Sequence, residues 1–290
     1  MITCTLGKHT YRIPSKWDDF TSEAASSFVR MSRAFDMFET GKMDFSVLRI
    51  SVVAALLELD VRRIRKQNDT LAENVYRLSE YLGYPYAIQE NEDGSRTVSL
   101  RIVLRNNLLP DIKGLYGYRF SVTREGMVDC SMTAAQYVEA LPLADLYTKT
   151  RNTGVLDSLF KVLYGSGKGA GKIPAGYKLA VYYNFRGILE WIRLLPDYRL
   201  IYSVSGSRHG GSNPLGLSSS VFTLSKSGYG TLQEIRELDL FSYLGALVQL
   251  NIDGILSLQS AGLKPNAIAE KMNLPIEMVL PYITVTDNAE

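Results

Sequence analysis

Apolar and polar positions change period twice within the first hundred residues. Ile2 to Leu6 and Thr10 to Ile13 are β-prone runs separated by Gly7-Lys8, which predicts a short hairpin closed by Pro14. Thr21 is an N-cap type followed by Ser22 and Glu23, and Ala24, Ala25, Phe28, Met31, Phe35 and Phe38 then recur at helical spacing up to Gly41. Val47, Leu48, Val52, Ala55, Leu56 and Leu59 predict a second helix beginning near Asp44, and residues 68–82 a third, ended by Gly83 and Pro85. The period then falls to two. Tyr84 to Gln89 and Thr97 to Leu104 flank the turn cluster Asn91-Glu92-Asp93-Gly94 and read as two strands.

From Asn107 the plan starts again. Tyr116 to Val122 and Met127 to Cys130 predict strands, Thr133 caps a helix over Ala134, Tyr137, Val138, Leu141 and Leu146 with a kink at Pro142, and Val155 to Tyr164 predicts another helix. Thr21 and Thr133 thus open comparable helix pairs. A Gly/Ser/Lys stretch, 165–171, precedes a strongly apolar helix over Ala175 to Leu195, and a breaker-rich segment, Ser203 to Ser220, predicts an exposed mobile loop. Gly230 to Pro281 reads as helices only.

These elements predict an α+β chain, predominantly α-helical with small β-hairpins, built as two related helical modules plus a C-terminal helical segment. The expected divisions are an N-terminal hairpin and helical module at 1–104, a second module at 105–202, a flexible loop at 203–222 and the helical segment at 223–290 with a helix-turn-helix-like end. At 290 residues, 46% hydrophobic and 21% charged, the chain can bury a sizeable core without a metal or disulfide staple. Cys4 and Cys130 have no CxxC partner or histidine cluster and read as small, buried or half-buried apolar residues. A formal net charge of +2 is too small to drive tight nonspecific attachment to nucleic acid or to an anionic membrane. MITCTLGKHTYRI lacks the pattern of a secretory signal, and the apolar run Val52 to Leu59 is too short for a membrane span, so a cytoplasmic protein with no membrane segment is expected.

Candidate chemistry is sparse. GSGKGAGK at 165–172 invites a phosphate-loop reading, but Ser166 stands where the motif wants Gly, and Ile173 follows Lys172 where a hydroxyl is needed for magnesium. The histidines are His9 in the hairpin and His209 in the Gly-rich loop, and no GxSxG elbow accompanies either. Asp18-Asp19 and Glu90 to Asp93 sit at turns and helix starts, where capping explains them. The cationic run Arg62-Arg63-Ile64-Arg65-Lys66 follows an apolar helix and suits a solvated C-terminal end. The expectation is therefore a noncatalytic protein without cofactor or metal. Tyr182, Tyr183, Phe185 and Trp191 on the helix over 175–195 are the candidates for a partner-binding surface, with a one-sided core face as the plainer reading. GLKPNAIAEKMNLPIEMVLPYI, 262–283, has helix-turn-helix patterning and suggests a DNA-binding adaptor as the alternative function, with Lys264 and Lys271 as its cations. Its second helix carries Glu277 and Pro281 and no Lys or Arg, which makes nucleic acid the lesser expectation.

One family comes into view. The run Tyr11-Arg12-Ile13-Pro14-Ser15-Lys16-Trp17-Asp18-Asp19-Phe20-Thr21, a strand entering a capped helix, resembles the start of phage tail-assembly chaperones and related small tail-morphogenesis proteins. "NNLLP" at 106–110, "LDSLFKVLYG" at 156–165, "KIPAGYKLAVYYNF" at 172–185 and "GYGTLQEIRELDLFSYLGAL" at 228–247 resemble segments of the longer members of prophage tail regions. The resemblance implies a noncatalytic chaperone in the bacterial host cytoplasm that binds an aggregation-prone structural protein of the tail. The loop at 203–220 and the helix-turn-helix-like end depart from that pattern, and no binding residue is carried over.

Overall fold

A computed structural model of the chain describes residues 1–6, 9–59, 69–167, 169–202 and 214–283. The fold is α+β and predominantly helical, with 61% of the described residues in helices, and has small antiparallel sheets of two strands each. In chain order the strands are β1 (Ile2–Leu6), β2 (His9–Ile13), β3 (Tyr86–Glu90), β4 (Arg96–Leu100), β5 (Asp111–Ile112), β6 (Leu115–Tyr116), β7 (Phe120–Val122) and β8 (Val128–Cys130). The helices among the described residues are α1 (Ala25–Glu39), α2 (Phe45–Leu56), α3 (Asp69–Tyr81), α4 (Ala134–Thr150), α5 (Thr153–Tyr164), α6 (Ala175–Leu194), α7 (Arg199–Tyr202), α8 (Pro214–Lys226), α9 (Leu232–Glu237), α10 (Leu240–Ser260), α11 (Pro265–Met272) and α12 (Ile276–Val279).

The chain divides into two compact units, Met1–Asp129 with Thr150–Trp191, and Cys130–Lys149 with Ile192–Glu290. Both are built from discontinuous stretches, so they cut across the divisions expected at 104 and 202. The first unit takes in residues 101–109 because these are held by the helix that follows them much later in the chain: Leu104 N–H donates to Gly187 O at 3.0 Å, and Leu108 N–H donates to the Asn184 side chain at 3.0 Å.

In the first unit β1 and β2 pair antiparallel from Ile2↔Ile13 to Leu6↔His9. Ile13 drops into a cluster with Val53, Ala54, Leu57, Val75 and Leu82, which joins the hairpin to α2 and α3. Thr21 does not cap α1 directly. It precedes a 3-10 turn, Ser22–Ala24, and makes no side-chain cap bond; α1 begins at Ala25 and buries Phe28, Met31, Ser32 and Phe35 on one face. Full burial of side chains such as Phe28, Phe35 and Leu48 stabilises the unit by about 1.5–3 kcal/mol each. β3 and β4 pair from Tyr86↔Leu100 to Glu90↔Arg96, four residues short of the predicted end at Leu104. The predicted strand Tyr116 to Val122 is broken into β6 and β7, and Gly117 lies between them. A Cβ there would sit 2.6 Å from the Tyr164 ring, so only glycine fits.

In the second unit Thr133 does form the predicted cap, as a capping box. Its hydroxyl accepts from Gln136 N–H at 3.2 Å, while the Gln136 side chain accepts from Thr133 N–H at 3.1 Å. Thr133 bridges antiparallel to Asp239, and the flanking bonds Ala134 N–H to Leu238 O and Leu240 N–H to Met132 O tie the start of α4 to the start of α10. The phenol oxygens of Tyr137 and Tyr202 lie 2.8 Å apart, and Tyr137 meets the Tyr243 ring edge-on. Leu200, Ile255, Ile268, Ala269, Leu274 and Val279 close the C-terminal core. Pro214–Lys226 is helical where the loop was expected; Pro214 stands at its first position, where a fixed φ and a missing N–H suit a helix start. Residues 203–213 lie outside the described residues.

Candidate functional site

The concave surface of the first unit follows an extended segment, 101–107, that prolongs β4. Exposure alternates along it: Arg101 is exposed, Ile102 and Leu104 are buried, and Val103 and Arg105 are half-buried, which is the two-residue period of a strand. Ile102 and Leu104 pack on α6, where Gly187 leaves room for them. On the other edge Arg101 N–H donates to Pro85 O at 2.9 Å, continuing the β3 ladder, and Asn107 N–H donates to Phe120 O at 2.7 Å, joining β7. Between these two pairings the main-chain N–H groups of Val103 and Arg105 have no acceptor among the described residues.

Three adjoining clefts open along this segment. One of about 260 Å³ lies against Lys16, Trp17, Asp18, Tyr84, Tyr86, Arg101 and Val103. A second, of about 380 Å³, shares Lys16 and Asp18 with it and adds Asp19, Arg105, Asn106, Thr123 and Arg124. A third, of about 340 Å³, begins at Asn106 and runs past Arg119, Phe120 and Asp129. The Pro14 to Phe20 stretch forms one wall because Trp17 is anchored, its Nε1–H donating to Arg101 O at 2.7 Å and its ring set edge-on to Tyr84. Asp19 is fixed by the Ser15 N–H and hydroxyl at 2.8 and 2.7 Å and by the amino group of Met1 at 2.6 Å. Burial alone would raise its carboxyl; those hydrogen bonds outweigh it and hold the group well below the usual carboxylate range.

The groove is rich in cations, and its carboxylates are already engaged. Asp18 lies 3.6 Å from Lys16 and 4.0 Å from Arg105, and Asp129 lies 3.5 Å from Arg119. Arg105 gives one terminal N–H to Thr123 O at 2.9 Å, yet its Nε is buried without a partner. The buried Tyr84 and Tyr86 hydroxyls are likewise unpartnered. Burial pushes both phenols far above their ordinary value, so both stay protonated and able to donate. The arrangement leaves hydrogen-bond donors without acceptors along a wall lined by cations. In the sequence Asp18 and Asp19 read as caps and Arg101, Arg105 and Arg124 are passed over; the odd-numbered spacing of Arg101 and Arg105 along a strand is the available signal.

A second charged cluster in this unit is a clasp. Glu39, 14% exposed, accepts from Arg186 at 2.6 Å, from Arg151 at 3.0 Å and from the Tyr183 hydroxyl at 3.0 Å, and Arg151 also reaches Asp36 at 3.1 Å. Arg151 holds φ at 54°, a left-handed conformation that costs a non-glycine residue about 1–2 kcal/mol. The clasp joins the end of α1 to the α5 entrance and to α6.

The aromatic candidates are corrected by their burial. Tyr182, Tyr183 and Phe185 are fully buried, and Trp191 is half-buried with its ring edge-on to Phe120 at 5.7 Å. α6 is apolar around most of its circumference because α1, the 101–109 segment and β7 surround it, so these side chains form core and not a free surface. Cys4 and Cys130 are free thiols of intermediate exposure. His9 lies in β2, whereas His209, the run Arg62 to Lys66 and Lys168 of the glycine-rich stretch lie outside the described residues.

In the 262–283 segment Ile268, Ala269, Leu274 and Val279 do lock two helices together, with Asn273 supplying the left-handed turn at φ 52°. The second helix, α12, has 4 residues and no cation; Lys264 and Lys271 are exposed on and before α11. The sequence reading, which weighs Val52 to Leu59 against a membrane span, does not single out α10. By length and composition it could cross a membrane, and 28% of its apolar window is buried, with Leu240, Tyr243, Leu244, Leu247 and Ile255 facing its own unit. Among the described residues no group of His, Cys, Asp and Glu has the arrangement of a metal site. No family model matches the chain, and neither a curated protein nor a solved structure is similar to it.

Proposed function

We propose that this chain is a noncatalytic phage-type tail-assembly chaperone or morphogenesis factor that acts in the cytoplasm of a bacterial host cell by binding a structural protein. The observation that carries the reading is the groove over 101–107: a long, open depression with main-chain and side-chain donors to spare, shaped to receive a stretch of another protein. The adjacent hairpins β5–β6 and β7–β8 add exposed apolar side chains, Tyr116 at 76% and Met127 at 65%, of the kind that protein contacts cover. The resemblance of Tyr11 to Thr21 to the start of tail-assembly chaperones supplies the class of client.

Coexpression with the structural proteins encoded beside it tests this. A stable complex that keeps one of them soluble is the expected result, and failure to copurify with any of them counts against it. The DNA-binding alternative through 262–283 requires salt-sensitive duplex binding that is lost when Lys264 and Lys271 are replaced.

A further inference from the structure

Resting on the protein-binding reading, we infer that the groove over 101–107 takes an acidic segment of the partner protein, seating carboxylates against Arg101, Arg105 and Arg124. Three independent features converge on that chemistry. The first is charge: Arg101 and Arg124 are exposed and form no ion pair among the described residues, while Asp18, Asp19 and Asp129 are neutralised by groups of their own wall. The second is the gap in the strand edge, where Val103 and Arg105 present main-chain N–H groups between the pairings to Pro85 and Phe120. The third is the Arg105 Nε, buried beside that gap with no acceptor. Carboxylates spaced along a peptide can pair with the exposed guanidinium groups while its main-chain carbonyls accept from the strand-edge N–H groups, and charge-assisted bonds to arginine are the stronger kind. A nucleic-acid strand would also bring anions. A peptide also brings main-chain carbonyls that can accept from the N–H groups of the strand-edge gap, which a phosphate backbone does not offer at strand spacing.

The experiment uses the full chain and a fluorescein-labelled octapeptide of alternating Glu and Ser, read by fluorescence anisotropy. Wild type binds it, the Gln-Ser counterpart binds at least tenfold more weakly, and added salt weakens the Glu-Ser complex. Arg101→Glu with Arg124→Glu, both at exposed positions, weakens binding at least tenfold with an unchanged circular dichroism spectrum. The inference is overturned by no binding, by equal binding of the Gln-Ser peptide, by an unaffected double variant, or by preferential binding of a thymidine octanucleotide. Coexpression separates that failure from failure of the wider reading. If wild type and double variant both copurify with the client, the groove is not the seat but the protein-binding reading stands; if neither does, that reading falls.

Discussion

Leu104 donates its main-chain N–H to the carbonyl of Gly187 at 3.0 Å, reaching the backbone of a helix at a position with no side chain. A Cβ at 187 would lie 2.7 Å from Ile102 Cγ2 and 2.8 Å from Leu104 Cγ, so the absence of a methyl group sets how closely the groove floor approaches α6. Gly187→Ala is therefore expected to destabilise the chain by about 1–3 kcal/mol through overpacking, despite its better helix propensity. Urea unfolding checks this, the midpoint falling while the slope stays constant.

Asn184 holds the next turn of the same segment. Its side chain accepts from Leu108 N–H at 3.0 Å and donates to Asn107 Oδ1 at 2.8 Å, and Asn107 in turn donates to Tyr118 O at 2.7 Å, all in the interior. Asn184→Leu leaves a buried N–H without its acceptor and is expected to cost about 2–3 kcal/mol. Hydrogen exchange at the Leu108 amide should accelerate in the variant; unchanged protection there would contradict the assignment.

Glu39 is the centre of the clasp, so its loss strands two guanidinium groups. Glu39→Gln is expected to cost about 1–3 kcal/mol, below the figure for a fully buried pair because Arg151 and Arg186 are 23% and 37% exposed. A double-mutant cycle with Arg151→Gln should give a combined loss smaller than the sum of the single losses; strict additivity would mean the two residues are not coupled.

The helical and hairpin content was legible because it rests on local period and turn chemistry: β1–β2, α1, α2 and α5 all follow from the spacing of their apolar residues. Thr133 was readable as a cap since Gln136 stands three residues on, whereas Thr21, with Ala24 at that place, supplies no reciprocal acceptor. The groove was not legible. Arg101, Arg105, Lys16 and Arg124 come together through the return of α6 to residues 102–108, a long-range pairing that depends on Gly187 and Asn184. For the aromatic run of α6 the plainer reading, a core face, is the one that the burial of Tyr182, Tyr183 and Phe185 supports, and what covers them comes from distant sequence.

Asp239 caps α10, accepting from the N–H groups of Phe241 and Ser242 at 3.0 Å and from the Ser242 hydroxyl at 2.5 Å. Burial would raise its carboxyl, but the bonds from Ser242 and Phe241 prevail and lower it. A folded value below the unfolded one, about 3.9, means the stabilisation is complete above that pH and is lost as pH falls through the folded value. Asp239→Ala should cost about 1 kcal/mol at pH 7, and the difference from wild type should shrink below about pH 4. A difference that persists unchanged at pH 2 would show that the charge plays no part.

The most direct measurement is amide hydrogen exchange at Val103 and Arg105, in the free chain and in its complex with a coexpressed structural protein. Both N–H groups lie in the gap between the Pro85 and Phe120 pairings, so they should exchange quickly in the free chain and slowly in the complex. Protection gained elsewhere, for instance on the outer face of α10, with Val103 and Arg105 unchanged would contradict the account.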